Sequence, residues 1–195
     1  DQKLVSPNKK VWESNGTPLE GIVDKGNGNY NVLDTHLIFV KSTLQTIAIP
    51  VNLQKLGDKQ RVTSYDSEDE VFRAENSGRV YEADGTIHQT VFWRGAKYEA
   101  AVGHALTGVG LETTKRPEGF PQSGSYIPHV EHWADTWTGE VVKRDGTARP
   151  DLIYNSKGQE FNPALGYTII DEETLETKLR EGVNFDDSGN LVPAA

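Results

Sequence analysis

Val91-Phe92-Trp93-Arg94-Gly95-Ala96-Lys97-Tyr98-Glu99-Ala100 reads as an apolar, aromatic strand that turns at Gly95. Aromatic and β-branched side chains fit a pleated, half-buried surface, and glycine admits the turn. Strand alternation sends Val91 and Trp93 to one face and Phe92 and Arg94 to the other. With Arg94 toward water, Trp93 is expected in the core and Phe92 outside, unless a bulge near Gly95 breaks the alternation.

The same character continues outward in both directions. Asn15-Gly16 after Val11-Trp12-Glu13, and Asp84-Gly85 after Val80-Tyr81-Glu82, are strong hairpin signals. Short β-forming runs at 30–33, 36–41, 44–53, 71–74, 79–82, 140–143, 151–154 and 167–170 are separated by turn formers. Pro50 demotes part of its run to an edge or a bulge. Residues 1–10 read as an arm or first edge strand. From Gly103 to Pro128 the chain is rich in Gly and Pro and reads as a long irregular loop, the usual place for function. Near the C-terminus Asp171 is an N-cap candidate, acidic residues follow it, Leu175 and Leu179 stand at i, i+4, and Gly182 can cap the end, so a helix is expected over Glu172–Glu181. The expected fold is mainly β: an antiparallel sandwich or barrel-like domain with long loops and one short C-terminal helix. It is read as a single domain over 1–195, with a subdivision near 57–70 and a partly ordered tail over 183–195.

Val11–Thr17, Val80–Thr86 and Ile153–Gln159 share a pattern of β-branched residue, aromatic, any residue, small residue, turn former, Gly and Thr or Gln. Nothing between the three segments aligns, so convergence of hairpins is favoured over a repeat of modules.

The formal charge of −9 is carried by scattered residues, which argues against a nucleic-acid groove or an anionic membrane surface. No apolar run approaches the ~18 residues of a membrane-spanning helix. The absence of Cys removes disulfides, thiolate metal sites and Cys nucleophiles. Position 1 is not Met, which points to a processed chain and, with the rest, to an extracellular or cell-surface location.

Two constellations carry chemistry. His129, Glu131, His132 and Asp135 bring imidazole and carboxylate together, the common ligand set for Zn and other divalent ions, with His104 as a further ligand candidate. The spacing is not that of the His-Glu-x-x-His metalloproteases. A divalent metal ion is the one cofactor the sequence suggests. Trp93, Tyr98, Trp133 and Trp137 are the other constellation, since flat aromatic faces next to polar groups suit the rings and hydroxyls of sugars. Given the alternation above, Tyr98, Trp133 and Trp137 are better ligand candidates than Trp93. The run Phe92–Ala100 locally resembles the aromatic-x-Gly-x-x-Tyr-x-Ala strand of small chitin- and cellulose-binding modules; Val102-Gly103-His104 stands where that family has a Trp-Trp pair. No nucleophile elbow, P-loop or dinucleotide fingerprint is present.

The function read from these residues is a non-catalytic extracellular or surface module, recognising carbohydrate or another surface protein through exposed aromatics. The alternatives are a secreted metal-dependent hydrolase or lyase using the His129–Asp135 cluster, and a structural assembly subunit of a cell envelope or virion.

Overall fold

The computed structural model describes residues 3–194. Almost every element is a short antiparallel strand hydrogen-bonded to its neighbour in sequence, which is what frequent Asn-Gly, Asp-Gly and Asx turns between β-forming runs dictate. The chain divides into two compact units, one reaching to Glu99 and the other beginning at Ala100. The residues at 57–70 lie inside the first unit and carry a turn between strands.

In the first unit β1 (Leu4–Val5), β2 (Lys10–Trp12), β3 (Pro18–Gly26) and β4 (Asn29–Val32) form a four-stranded meander. β5 (His36–Val40) and β6 (Gln45–Ala48) form a hairpin. Pro50 then ends the extended run and precedes a single helical turn, α1 (Val51–Gln54). Its fixed φ suits that position. Next come β7 (Ser64–Asp66), β8 (Val71–Ala74), β9 (Arg79–Tyr81), β10 (Ile87–Trp93) and β11 (Tyr98–Ala100), a five-stranded sheet in sequence order. α1 lays Leu53 on this sheet, in a core with Ile49, Val62, Phe72, Ala74 and Tyr81.

In the second unit β12 (His104–Leu106) pairs with β13 (Thr113–Lys115), so the stretch expected to be one irregular loop contains a hairpin. β14 (Gly124–Ile127), β15 (His132–Asp135) and β16 (Val141–Lys143) form a three-stranded sheet. Three hairpins follow: β17 (Leu152–Asn155) with β18 (Glu160–Pro163), β19 (Tyr167–Asp171) with β20 (Glu176–Leu179), and β21 (Val183–Phe185) with β22 (Leu191–Pro193). Cross-strand pairing sets the two cores. Tyr126, Trp133 and Val142 align across β14–β15–β16 and pack with Phe120. Val141 joins Val130, Leu152 and Leu175 in a separate cluster.

The fold is mainly β and antiparallel, as the sequence predicts; among the described residues the strands form several separate sheets. The helix expected at Glu172–Glu181 is instead the turn and second strand of the β19–β20 hairpin. Asp171 does accept N–H bonds from Glu173 and Thr174, as an N-cap would. The chain then leaves in the left-handed conformation at Leu175 (φ 56°) rather than continuing the helix. A helix this short gains little against its nucleation cost, while Thr168-Ile169-Ile170 supplies a ready β partner. The tail expected to be partly ordered forms the last hairpin, with the Phe185 ring 5.7 Å from that of Tyr167; Ala195, like Asp1 and Gln2, lies outside the described residues.

The three look-alike segments resolve into two turn types. At Asn15-Gly16-Thr17 and Asp84-Gly85-Thr86 the Asx side chain accepts the Thr N–H, Gly has positive φ, and residues 13 and 82 bond to residues 17 and 86. Asp145-Gly146-Thr147 closes the same way. Asn155–Gln159 instead resembles Asp66–Glu70 and Asp171–Leu175: the first side chain accepts two successive N–H groups and the fifth residue is left-handed.

Candidate functional site

The β15–β16 connection is built around one carboxylate. Asp135 is 1% exposed. It accepts a hydrogen bond from the Ser123 hydroxyl, and from the Thr138 hydroxyl at 2.5 Å and the Thr138 N–H at 2.9 Å. The Thr136 hydroxyl donates to the Ser123 carbonyl at 3.3 Å. Asp135 N–H donates to the Glu140 carbonyl, and Gly139 N–H to the Asp135 carbonyl. The Ser123 bond, followed by those from Thr138, holds the Asp135 carboxyl down at about 2. At the tip of this braced turn the Trp137 indole is 87% exposed.

The other aromatic candidates have different fates. Trp133 is 2% exposed, with its ring 5.3 Å from that of Tyr126, so it is core and not a ligand surface. Trp93 and Phe92 are both half-buried, because a register shift between Ile87 and Phe92 breaks the alternation assumed for β10. Trp93 is covered by the Arg73 guanidinium, 4.2 Å from its ring centroid, and by the Tyr98 ring at 5.0 Å. The Tyr98 hydroxyl donates to Asp66 at 2.8 Å, and Arg73 lies 3.5 Å from the same carboxylate. Burial and this bond to an anion both raise the Tyr98 pKa. Arg73 and Tyr98 thus occupy part of the Trp93 ring surface.

A charged cleft of about 770 Å³ opens in the second unit, lined among others by His132, Lys143, Arg149, Asp151, Leu175 and Thr177. Arg149 is its hub. Its Nε and Nη2 donate to Asp151 at 3.0 and 2.7 Å, its Nη2 also to the Leu175 carbonyl at 2.5 Å, and its Nη1 to His132 Nε2 at 2.9 Å. The Thr177 hydroxyl donates to Asp151 at 2.5 Å. Burial alone would raise the Asp151 carboxyl, but the bonds from Arg149 and Thr177 outweigh it and hold it at about 2. A guanidinium only donates, so His132 Nε2 is an acceptor and Nδ1 carries the hydrogen, which it donates to the Val130 carbonyl. Burial, with Arg149 and Lys143 adding to it, lowers the His132 pKa against the pull of the Val130 bond.

The suggested metal ligands are therefore not brought together. Both His132 nitrogens are spent, Asp135 is saturated by Ser123 and Thr138, His129 is exposed, and His104 stands in β12 with its Nδ1 3.4 Å from the Val102 carbonyl. Among the described residues no three His, Cys, Asp or Glu side chains gather as a metal group. The Arg149–Asp151–Thr177 network was invisible in the sequence, since Thr177 and Leu175 lie far along the chain from Arg149 and no spacing links them.

No protein-family model, curated protein or solved structure matches this chain. Among the described residues no helix is long and apolar enough to cross a membrane.

Proposed function

We propose that this protein is a non-catalytic binding module of a cell or particle surface, and that it holds a carbohydrate ligand against Trp137. One observation carries the reading: an indole 87% exposed stands on a turn fixed by a buried carboxylate. Trp is a residue that folding normally buries. A rigid platform loses little conformational entropy when a flat ligand stacks on it. Thr138 and Glu140 follow Trp137 closely in sequence and are both exposed, so the same turn carries polar groups toward water. In the cleft, neutral His132 and the Asp151 carboxylate are both bonded to protein groups.

The test is a glycan array on the whole chain, followed by titration of the strongest glycan against intrinsic fluorescence. Quenching or a shift of Trp emission is expected for the natural sequence and is expected to vanish in Trp137→Ala, while the unfolding midpoint stays unchanged. No binding to any glycan, or full binding by Trp137→Ala, would refute the reading.

A further inference from the structure

The cleft of the second unit also carries a conformational device. We propose that His132 and Arg149 form an acid-release clamp, in which protonation of His132 drives Arg149 away and frees the β19–β20 hairpin from the cleft. The geometry leaves the neutral imidazole one arrangement. Its Nε2 lone pair accepts from Arg149 Nη1 at 2.9 Å while Nδ1–H donates to the Val130 carbonyl. An imidazolium has two donors and no acceptor. Protonated His132 would turn an N–H, and a positive charge, onto a guanidinium that can only donate. His132 is 5% exposed, so screening of the two cations by water is reduced.

The groups facing His132 oppose its charging. β16 places Lys143 directly across the strand pair. The segment after β16 contributes Arg149 and Asp151, and the Asp151 carboxylate is already occupied by Arg149 and by Thr177. β18 offers the uncharged Phe161 ring, 6.2 Å away. The β19–β20 hairpin offers the Leu175 carbonyl and Thr177 to Arg149 and Asp151. Glu131, next to His132 in sequence, is drawn off to Arg144. Two cations thus stand against one committed anion.

Arg149 is what transmits the event. The same guanidinium that touches His132 holds the turn of the hairpin through Leu175 and its second strand through Asp151 and Thr177. Leu175 is left-handed, as is the fifth residue of the same turn type at Glu70 and Gln159, and here the Arg149 guanidinium also holds its carbonyl. Once Arg149 shifts, that turn loses its polar anchor and relaxes.

Hydrogen exchange of the whole chain, read by segment and corrected for the intrinsic effect of pH, tests the clamp. Amides of residues 167–179 should open at least about tenfold more often at about pH 5 than at about pH 7.5, with β7–β10 unchanged. His132→Gln can accept from Arg149 and donate to Val130 but cannot take a proton, so it should stay closed at both values. Should that variant not fold, the imidazole resonances of His132 in the natural chain give the same answer, because the rise in opening must begin near the ordinary imidazole value of about 6.5 and level off where His132 of the closed form titrates. Unchanged protection of 167–179 in acid, an equal acid response in His132→Gln, or a rise in opening outside that range would overturn the clamp.

Discussion

Two tryptophans four residues apart separate packing from presentation. Trp133 points into the Phe120–Tyr126–Val142 core, and Trp137 stands in water. Trp133→Ala is expected to cost about 3–5 kcal/mol in urea unfolding. Trp137→Ala is expected to stay within about 0.5 kcal/mol of the natural chain. A comparable loss from both would mean that Trp137 packs in solution. Asp135 is the residue on which the turn depends. Asp135→Ala removes a buried acceptor and leaves the Ser123 and Thr138 donors without their partner, so it should cost about 2–4 kcal/mol. Retention of stability within about 0.5 kcal/mol would show that the turn holds itself.

At the scale of elements the recurring unit is the Asx-Gly-Thr turn. Asn15 fills the place that Asp84 and Asp145 fill in its two counterparts, and all three use the side-chain oxygen to accept the Thr N–H. Asn15→Asp is therefore expected to move the unfolding midpoint by less than the equivalent of about 0.5 kcal/mol. Gly85 is less tolerant. It sits at φ 87°, and an added Cβ would come within 2.4 Å of Asn52 Oδ1. Asn52 also donates to the Gly85 carbonyl at 2.9 Å, so it cannot swing away without losing that bond. Gly85→Ala should cost about 1–3 kcal/mol, and a neutral result in thermal unfolding would show that α1 yields easily. These turns were legible in the sequence because a positive φ needs Gly and an Asx side chain closes the turn locally. The turn at Asp171–Leu175 was not, because its left-handed residue is a leucine and its first side chain imitates a helix cap.

For the whole molecule the clearest expectation is the pH profile of stability. Asp135 and Asp151, both held at about 2, bind protons less readily folded than unfolded. Their contribution is complete above the ordinary carboxylate value of about 4 and is lost as the pH falls toward about 2. His132, whose pKa is also lowered, contributes in the same sense: nothing is lost above its unfolded value of about 6.5, and stability declines as the pH drops below it. All three groups lie in the second unit, against Asp66 in the first, whose carboxyl, despite the upward pull of burial, is also lowered by the bond from Tyr98 and those from the Glu68 and Asp69 N–H groups. Acid should therefore loosen segments beyond Ala100 before the first-unit core of Phe72, Ala74 and Tyr81, when exchange protection is followed downward from about pH 7. Equal loss in both units at every step would contradict this.

The sequence by itself determined the β class and the positions of most hairpins, because turn chemistry and alternation act over a few residues and need no partner from elsewhere. It also drew attention to the segment 129–137, which holds His132, Asp135 and Trp137. What it could not assign was the role of each residue there. Whether Trp133 or Trp137 is buried depends on Tyr126, Val142 and Phe120, which pairing between strands brings to one side. Whether His132 is a ligand or a locked acceptor depends on Arg149, and Arg149 is placed by Asp151, Leu175 and Thr177. Those choices belong to the tertiary structure, since burial and hydrogen-bond saturation are properties of neighbours in space, and the deciding neighbours stand on other hairpins.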